Sequence, residues 1–171
     1  MLSDRPTAPS LTTQRLILEP LRVDHADELA PLLDDTHLHA FIGGTPATLE
    51  ELRALYGRQV AGQSPDGSQQ WLNWVARTRR DSTAIGTVQA TVTASDGSHT
   101  AEVAWVIGSA YQRQGYAREA AGAVAGWLRA QGALSLAAHI HPEHESSMSV
   151  ARAIGLSPTD AVVDGETRWT G

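Results

Sequence analysis

Residues 111–117 read Tyr111-Gln112-Arg113-Gln114-Gly115-Tyr116-Ala117 and lie between two segments of different character. The segment before them, Ala101 to Ile107, is apolar and typical of a strand, whereas Ala117 to Ala130 has the spacing of an amphipathic helix. A loop between a strand and a helix, with a glycine near the helix start, presents several backbone N–H groups beside the positive end of the helix dipole. The stretch therefore predicts an anion site suited to phosphates.

The residue types in this loop favour such a ligand. Gly115 lacks the Cβ that would keep a pyrophosphate away from the backbone, and Ala117 keeps the next turn thin. Gln112 and Arg113 can add side-chain donors. A basic residue at a helix start opposes the dipole, so Arg118 favours a bound anion over the alternative of a solvent-exposed arginine.

The amino-acid composition limits the classes of protein to which this chain can belong. The chain has 171 residues, 42% of them hydrophobic and 19% charged, which suits one globular domain with a buried core. A net charge of −6 disfavours nucleic acid and anionic membranes as partners. The absence of cysteine excludes disulfides, a cysteine nucleophile and Cys-based zinc sites. No apolar run could span a bilayer and the N-terminus lacks a signal segment, so we expect a soluble cytoplasmic protein.

Hydrophobic periodicity predicts the element order β-α-α-β-β-β-α-β-α-β-β. The predicted strands cover 15–21, 71–77, 85–93, 101–107, 134–140, 160–163 and 166–169, and the predicted helices cover 24–33, 49–60, 117–130 and 146–154. The run Phe41 to Pro46 is predicted to interrupt regular structure. We expect a flexible arm over 1–10 and one α/β (α+β) domain over 11–171, with a mixed, mostly antiparallel sheet, helices on both faces and a parallel crossover over 101–140.

The element order resembles the GCN5-related N-acetyltransferase (GNAT) family, in the branch that contains the ribosomal-protein N-terminal acetyltransferases. The pattern Gln-x-x-Gly-x-Ala at 112–117 is similar to the acyl-CoA pyrophosphate loop of that family. Four further segments resemble the branch in the same order: Thr13 to Leu21, Ile85 to Val88, Glu102 to Ile107, and Pro142 to Leu156. The resemblance implies a GNAT-like fold, acetyl-CoA as co-substrate, no metal, and direct transfer of an acetyl group to a primary amine in a ternary complex.

The resemblance also implies where the co-substrate binds. In the family the fourth and fifth strands separate and the pantetheine arm lies in the gap, which implies backbone contacts from Trp105, Val106 and Ile107. The implied phosphate-loop contacts are Gln112, Arg113, Gln114, Gly115, Tyr116, Ala117 and Arg118. His144 stands where the family usually has an Asn that binds pantetheine. Ser147 is implied as a donor to the thiolate or to pantetheine, with a helix-capping serine as the equal alternative.

Glu102 is the one carboxylate on the predicted fourth strand. A glutamate in an apolar strand is costly unless it is paired or exposed, so Glu102 is a candidate general base that acts through water. The alternative is an exposed residue at the strand start. The Tyr that serves many family members as general acid is absent, because Ala151 stands at that position.

Three histidines lie close together near the fifth strand. His139 and His141 alternate and therefore share a face, with His144 close behind. We expect His139 and His141 to act as an acceptor-side base or pocket wall, with ordinary structural histidines or a metal site as alternatives. Phe41, Trp74 and Gln89 lie where the family binds acceptors and are expected to shape the acceptor pocket, although tryptophan in a strand is often core.

Two functions remain open at this point. The first is an N-acetyltransferase; the alternative is a catalytically weak or inactive GNAT-fold protein that binds CoA or a small ligand as a sensor, which the missing Tyr and the replaced Asn allow. The expected acceptor is a small molecule or a peptide with an N-terminal amine. Protein N-termini, amino acids, polyamines and antibiotics remain open, as does a homodimer.

Overall fold

The computed structural model describes residues 7–133 and 135–171, and for Ile42 only the backbone. The elements in these ranges are, in chain order, β1 (Leu11–Thr12), β2 (Leu16–Pro20), α1 (His25–Leu33), α2 (Thr36–Ile42), α3 (Leu49–Gln59), β3 (Gln69–Thr78), β4 (Ala84–Ser95), β5 (Ser98–Ile107), α4 (Tyr116–Ala130), β6 (Ser135–Ile140), α5 (Glu145–Ala153), β7 (Ser157–Val163) and β8 (Glu166–Thr170). Leu134, predicted to start β6, lies outside the described residues.

The strands form one sheet in the order β1-β2-β3-β4-β5-β6-β8-β7. All neighbouring strands are antiparallel except β5 and β6, which are parallel and are joined through α4. The predicted mixed, mostly antiparallel sheet and the parallel pair around the long helix are therefore confirmed. No helix in the described part of the chain is both long and apolar enough to cross a membrane.

The two faces of the sheet carry cores of different size. On one face, α4 presents a fully buried stripe consisting of Ala120, Ala121, Val124, Ala125 and Leu128, which packs on alternate residues of the central strands and on α5. On the other face, α1 and α3 form a smaller cluster around Leu29, Leu52, Tyr56 and Val75. Along β5, Ala101, Val103 and Ile107 join the larger core. By strand alternation Glu102, Ala104 and Val106 face the other way.

Helix α2 differs from the prediction. Phe41 was expected to lie in a break, but it lies within α2, which begins after Asp35 and ends at Gly43 with φ of +80°. The Asp35 carboxylate caps this helix by accepting from the backbone N–H of His37, and it also accepts from the Ser109 hydroxyl. A seven-residue helix has too few turns to show a period. The predicted capping box of Thr48 and Glu51 at the start of α3 is confirmed.

The expected N-terminal arm falls in two parts. Residues 1–6 lie outside the described residues. Residues 7–10 pack on the domain: Ala8 lies against the larger core, and the Pro9 carbonyl accepts a hydrogen bond from Trp74 Nε1 at 2.7 Å. This second part is therefore held by contacts with the domain.

A charged network joins β2, β3 and α1. Arg77 donates to Glu19 at 2.7 Å and to Glu28 at 2.8 Å, and the fully buried His25 contacts Glu19 through Nε2 at 2.9 Å. Burial alone would raise the pKa of Glu19, but Arg77 and His25 outweigh it and hold that pKa below its ordinary value. Hydrogen bonds from Arg77 also lower the pKa of Glu28. The network therefore stabilises the fold only while both carboxyl groups are ionised.

We expect Arg77→Met to lower the free energy of unfolding at pH 7 by about 2–4 kcal/mol, because it leaves the half-buried carboxylate of Glu19 without its partner. Both carboxyl pKa values are depressed in the folded state. Their contribution is therefore present above the unfolded pKa of 4.5 and is lost as the pH falls through the folded values. Urea unfolding at pH 7 and at about pH 3 measures both effects, and the difference from wild type should shrink at the lower pH.

The matched control is Arg80→Met, because Arg80 is exposed and forms no salt bridge within residues 7–133 and 135–171. It should change the free energy of unfolding by less than about 0.5 kcal/mol. Equal effects of the two substitutions at pH 7 would contradict the role given to the network.

Candidate active site

A gap opens inside the sheet between β5 and β6. The two strands pair only at Thr100–Ser135, Ala101–Leu136 and Glu102–Ala137, and β6 then continues beside β8. From Val103 onward, β5 has no neighbouring strand on that side within the described residues. An unpaired strand edge leaves backbone N–H and C=O groups without partners, so the gap suits an extended ligand that carries amide groups.

Glu102 and His139 meet at the closed end of this gap. Glu102 Oε1 lies 2.6 Å from His139 Nδ1, and the two side chains connect β5 to β6 just where the strands part. The Glu102 side chain is 49% exposed and that of His139 is 18% exposed, so solvent and small molecules can reach the pair. A carboxylate that accepts from Nδ1–H leaves Nε2 as the basic nitrogen of the ring. The pair is chemically able to accept a proton through His139.

A second cluster joins α2 to the start of α5. The Phe41 ring stacks on the His144 ring with centroids 4.2 Å apart, and it meets the His141 ring edge-on at 5.6 Å. His144 Nε2 lies 3.4 Å from Ser147 Oγ. Burial, with a smaller effect from His141, lowers the pKa of His144 below its ordinary value of 6.5, so the ring is neutral at pH 7. Ser147 is the third residue of α5 and makes no helix-capping hydrogen bond among the described residues.

The loop before α4 forms a concave row of donors. Within the described part of the chain, the backbone N–H groups of residues 113–118 meet no protein acceptor. Arg113 and Gly115 have φ of +62° and +81°, and such left-handed residues beside right-handed ones turn successive N–H groups toward one point. The side chains of Arg113 and Arg118 are exposed and form no salt bridge in the same described ranges. The loop therefore presents backbone donors and two cations to an anion.

The other predicted loop side chains have different roles. The Gln112 amide donates to the Ile107 carbonyl at 2.9 Å, and the Gln114 amide donates to the Ala110 carbonyl at 3.3 Å. Both side chains therefore hold the loop together and do not point to an anion. The Ile107 carbonyl is already used by Gln112. Val106 faces Thr87 two residues before the hydrogen bond from the Gly108 N–H to the Ile85 carbonyl, so its backbone groups point to β4. This leaves Trp105 as the predicted β5 position whose backbone groups point into the gap.

Arg15, which immediately precedes β2, was not predicted as a site residue. Its guanidinium pairs with Glu119 at 2.8 Å, donates to the Gln114 carbonyl at 2.8 Å, and lies 4.3 Å from the centre of the Tyr116 ring. Burial would raise the pKa of Glu119, but hydrogen bonds from Thr13 and Arg15 outweigh it and lower that pKa. These contacts fix the loop onto the body of the domain. Arg15 lies 99 residues from Gln114 and 104 residues from Glu119 in sequence, so no local pattern could have identified these contacts.

A cavity of about 230 Å³ lies on the face of the sheet that carries α1 and α3. Gln89, predicted to bind the acceptor, lines it together with Asn73, Thr87 and Val106. Phe41, His139 and His141 are not part of its wall, so the predicted acceptor residues fall in separate places.

Trp74 is also among the residues that border this cavity, but its ring lies on the opposite face of the sheet. The side chain is fully buried in the larger core, 5.9 Å from the ring of Trp127 on α4. Trp74 alternates with Asn73, so the two side chains point to opposite faces of the sheet. Sequence alternation identified the two faces, but it did not show which face carries the cavity.

The histidines do not form a metal centre in the described structure. Within residues 7–133 and 135–171, no three His, Asp or Glu side chains lie close enough together to hold a metal ion. His139 pairs with a carboxylate, whereas His141 accepts from the Glu143 backbone N–H through Nδ1 at 3.1 Å. The Nδ1 atoms of His139 and His141 are therefore both engaged in hydrogen bonds.

Comparison with solved structures gives the same fold over nearly the whole chain. The GNAT-family acetyltransferase from Bacillus anthracis has 18% identity and a TM-score of 0.75, covering 95% of this chain and 98% of that chain. RimL, a ribosomal alpha-N-protein acetyltransferase in complex with coenzyme A, has 12% identity and a TM-score of 0.74, covering 95% and 97%. MccE, a microcin self-immunity acetyltransferase in complex with acetyl-CoA and AMP, has 11% identity and a TM-score of 0.73, covering 93% of each chain.

At these identities the structural likeness shows the fold. No curated protein sequence matches this chain at a significant level. The sequence does match the family model described as the acetyltransferase (GNAT) domain, over residues 15–157. That match spans most of the chain and includes the strand gap, the Glu102–His139 pair and the donor loop, so this protein belongs to the GNAT family of acetyltransferases.

Proposed function

We propose that this protein is an acetyl-CoA-dependent N-acetyltransferase that transfers the acetyl group to a primary amine by direct attack in a ternary complex. The observation that carries the proposal is the Glu102–His139 pair at the closed end of the β5–β6 gap. The chain has no cysteine, so an acyl-cysteine intermediate is excluded. Acetyl-CoA supplies an activated thioester, and the remaining chemistry falls to this chain's own residues.

The residues present fit that co-substrate. The free N–H groups of residues 113–118, with Arg113 and Arg118, match the charge of a pyrophosphate. The free edge of β5, where the backbone groups of Trp105 point into the gap, matches the amide groups of a pantetheine arm. His144 is neutral and can donate to that arm in place of the usual Asn. Ser147, next to His144, is the hydroxyl we assign as donor toward the leaving sulfur.

Within the pair, we assign acceptance of the amine proton to His139 and orientation of the His139 ring to Glu102. An amine must be neutral to attack, so His139 Nε2 takes its proton, directly or through one water. The N–C bond then forms and the C–S bond breaks. The nitrogen loses its second proton to water, and the sulfur leaves as a thiol with the proton of the Ser147 hydroxyl, which water replaces. Glu102 fixes the Nδ1–H tautomer and stabilises the charged ring, as the carboxylate does in other carboxylate–imidazole pairs. This proposal differs from the sequence-based expectation, in which Glu102 is itself the base.

The sensor without turnover is less favoured. An exposed carboxylate–imidazole pair at the branch point of two strands gives no benefit to a protein that only binds CoA, and it costs side-chain entropy to hold. Release of free thiol from acetyl-CoA, measured with a panel of primary amines, separates the two functions. Amine-dependent release supports the enzyme, whereas CoA binding without release from any amine supports the sensor.

The role of the loop can be tested by introducing a glutamate at two glycines, one immediately before α4 and one within it. We expect Gly115→Glu to weaken CoA binding by about 100-fold or more, because it places bulk and negative charge where the pyrophosphate is proposed to lie. Gly122→Glu is the matched control, since Gly122 is exposed on α4 and an added side chain meets open space. Calorimetry with CoA should find the control within about twofold of wild type. A folded Gly115→Glu protein with unchanged affinity would remove the loop from the proposal.

The catalytic pair can be tested by substitution and rescue. We expect His139→Gln to lower kcat by roughly 100-fold or more and Glu102→Gln by roughly tenfold to 100-fold, with CoA affinity nearly intact in both. Because the two residues act as a unit, the double variant should be no slower than His139→Gln alone. Added imidazole should restore part of the rate of His139→Ala but none of that of Glu102→Gln. His99→Gln on β5 is the control. A loss below about threefold in both single variants would refute the pair.

His144 can be tested by two substitutions of different hydrogen-bonding capacity. His144→Asn should preserve activity, because the amide supplies a donor of similar reach. His144→Ala should weaken CoA binding by about 1 kcal/mol, the scale of one lost neutral hydrogen bond. If His144 were instead a base for the acceptor, Asn would be as damaging as Ala, and kcat would fall more than CoA affinity. Steady-state kinetics of both variants, with calorimetry of CoA binding, distinguish the roles.

A further inference from the structure

The cavity beside Gln89 has walls of two kinds. The helices α1 and α3 contribute mainly aliphatic side chains, among them Leu33, Leu52 and Leu55. The sheet contributes a polar floor made of neighbouring residues of β3 and β4, Asn73 and Gln89, which are paired in register. At about 230 Å³ the cavity is smaller than the roughly 300–1,000 Å³ of whole-ligand sites, so it fits one part of a ligand.

The lining offers no acidic side chain to a cationic ligand. None of its residues is Asp, Glu or Arg, and the two titratable ones are His39 and Tyr56. Both ring nitrogens of His39 contact backbone carbonyls, those of Gly43 at 3.0 Å and Leu33 at 3.3 Å, so neither is turned to the cavity. Burial raises the pKa of Tyr56 to about 12, which keeps its hydroxyl neutral. A charged group placed here would lose its hydration without gaining a partner.

One buried donor in the floor is unsatisfied. The Asn73 Nδ2 atom is buried and has no hydrogen-bond partner among the described residues. Buried amides are nearly always paired, so an unpaired one that borders a cavity indicates an acceptor atom on a ligand. The side chain of its neighbour Gln89 likewise makes no hydrogen bond in the described part of the structure. The floor therefore suits a group with a carbonyl or similar acceptor.

The cavity lies on the same face of β5 as the proposed catalytic pair. Val106 borders the cavity, Glu102 belongs to the pair, and Ala104 stands between them on that face. Side chains two residues apart on a strand are about 7 Å apart. Ala104 has a small, exposed methyl group. The amine nitrogen of an acceptor held over Ala104 would thus lie between the Glu102–His139 pair and the part of the same acceptor that occupies the cavity.

We propose that the acceptor is a primary amine attached to an uncharged, largely apolar group whose hydrogen-bond acceptor meets Asn73. The proposal rests on the proposed N-acetyltransferase function and narrows it. Polyamines and aminoglycoside-type polycations do not fit, because the cavity offers no carboxylate to a second positive charge. Acceptors with a carboxylate side chain are disfavoured for the same desolvation reason.

A matched series of amino-acid amides tests this with the wild-type protein and saturating acetyl-CoA. Leucine amide should have a kcat/KM at least about tenfold above glycine amide, because burial of its side chain is worth 1–3 kcal/mol in discrimination. It should exceed arginine amide, glutamate amide and spermidine by at least the same factor. Preference for arginine amide or spermidine would overturn the proposal while leaving the N-acetyltransferase function intact.

Binding is measured separately so that a failure of turnover does not obscure the result. Calorimetry of leucine amide and arginine amide with the CoA-bound protein reports the cavity alone. If no amine is acetylated but leucine amide binds more tightly than arginine amide, the proposed function fails and the cavity assignment holds. Equal or reversed binding of the two amides overturns the cavity assignment whatever the activity.

A pair of substitutions on α3 tests whether the cavity causes the preference for leucine amide. Leu55 and Leu49 are 36% and 37% exposed, but only Leu55 lines the cavity. Leu55→Trp should fill the mouth and reduce the ratio of kcat/KM for leucine amide over glycine amide by about tenfold. Leu49→Trp should leave that ratio unchanged. Asn73→Asp should shift the preference toward arginine amide, and a ratio unaffected by both Leu55→Trp and Asn73→Asp would contradict the proposal.

Discussion

The arrangement of the site depends on the point at which β5 and β6 part. Three residue pairs join the strands, and the last of them, Glu102–Ala137, is also where the Glu102–His139 contact lies. Had the pairing continued, the backbone groups of Trp105 that point into the gap would be used within the sheet. Because it stops, the middle of a well-packed sheet contains an open strand edge. A carboxylate–imidazole pair closes the inner end of that edge, and the donor loop follows its outer end.

Contacts from other elements hold the donor loop in place. Arg15 and Thr13, ahead of β2, bind Glu119 in the first turn of α4, and Arg15 also holds the Gln114 carbonyl. The Gln112 amide holds the end of β5. Donors fixed before a ligand arrives do not lose conformational entropy on binding, so this clamp supports anion binding without touching the anion.

Periodic features of the fold were predictable, whereas contacts between distant segments were not. The α4 stripe, the Thr48–Glu51 capping box and the parallel pair around α4 follow from spacing alone. Helix α2 was missed because seven residues followed by Gly43 give no measurable period. At the site, the sequence selected Glu102 and His139 separately, but their contact depends on the register of β5 against β6. Asn73 carried no signal, because an unsatisfied amide is visible only once its neighbours are in place.

The charge of the whole chain constrains how the proposed co-substrate can bind. A protein of net charge −6 repels an anion at long range, so the overall field cannot supply the affinity. At physiological ionic strength the Debye length is about 8 Å, which limits that repulsion to the immediate surroundings of the ligand. Over that distance the free N–H groups of residues 113–118 and the arginines at 113 and 118 are the groups that face it. Affinity must therefore come from the loop itself, where the left-handed backbone at Gly115 turns N–H groups toward one point and the two exposed arginines add positive charge.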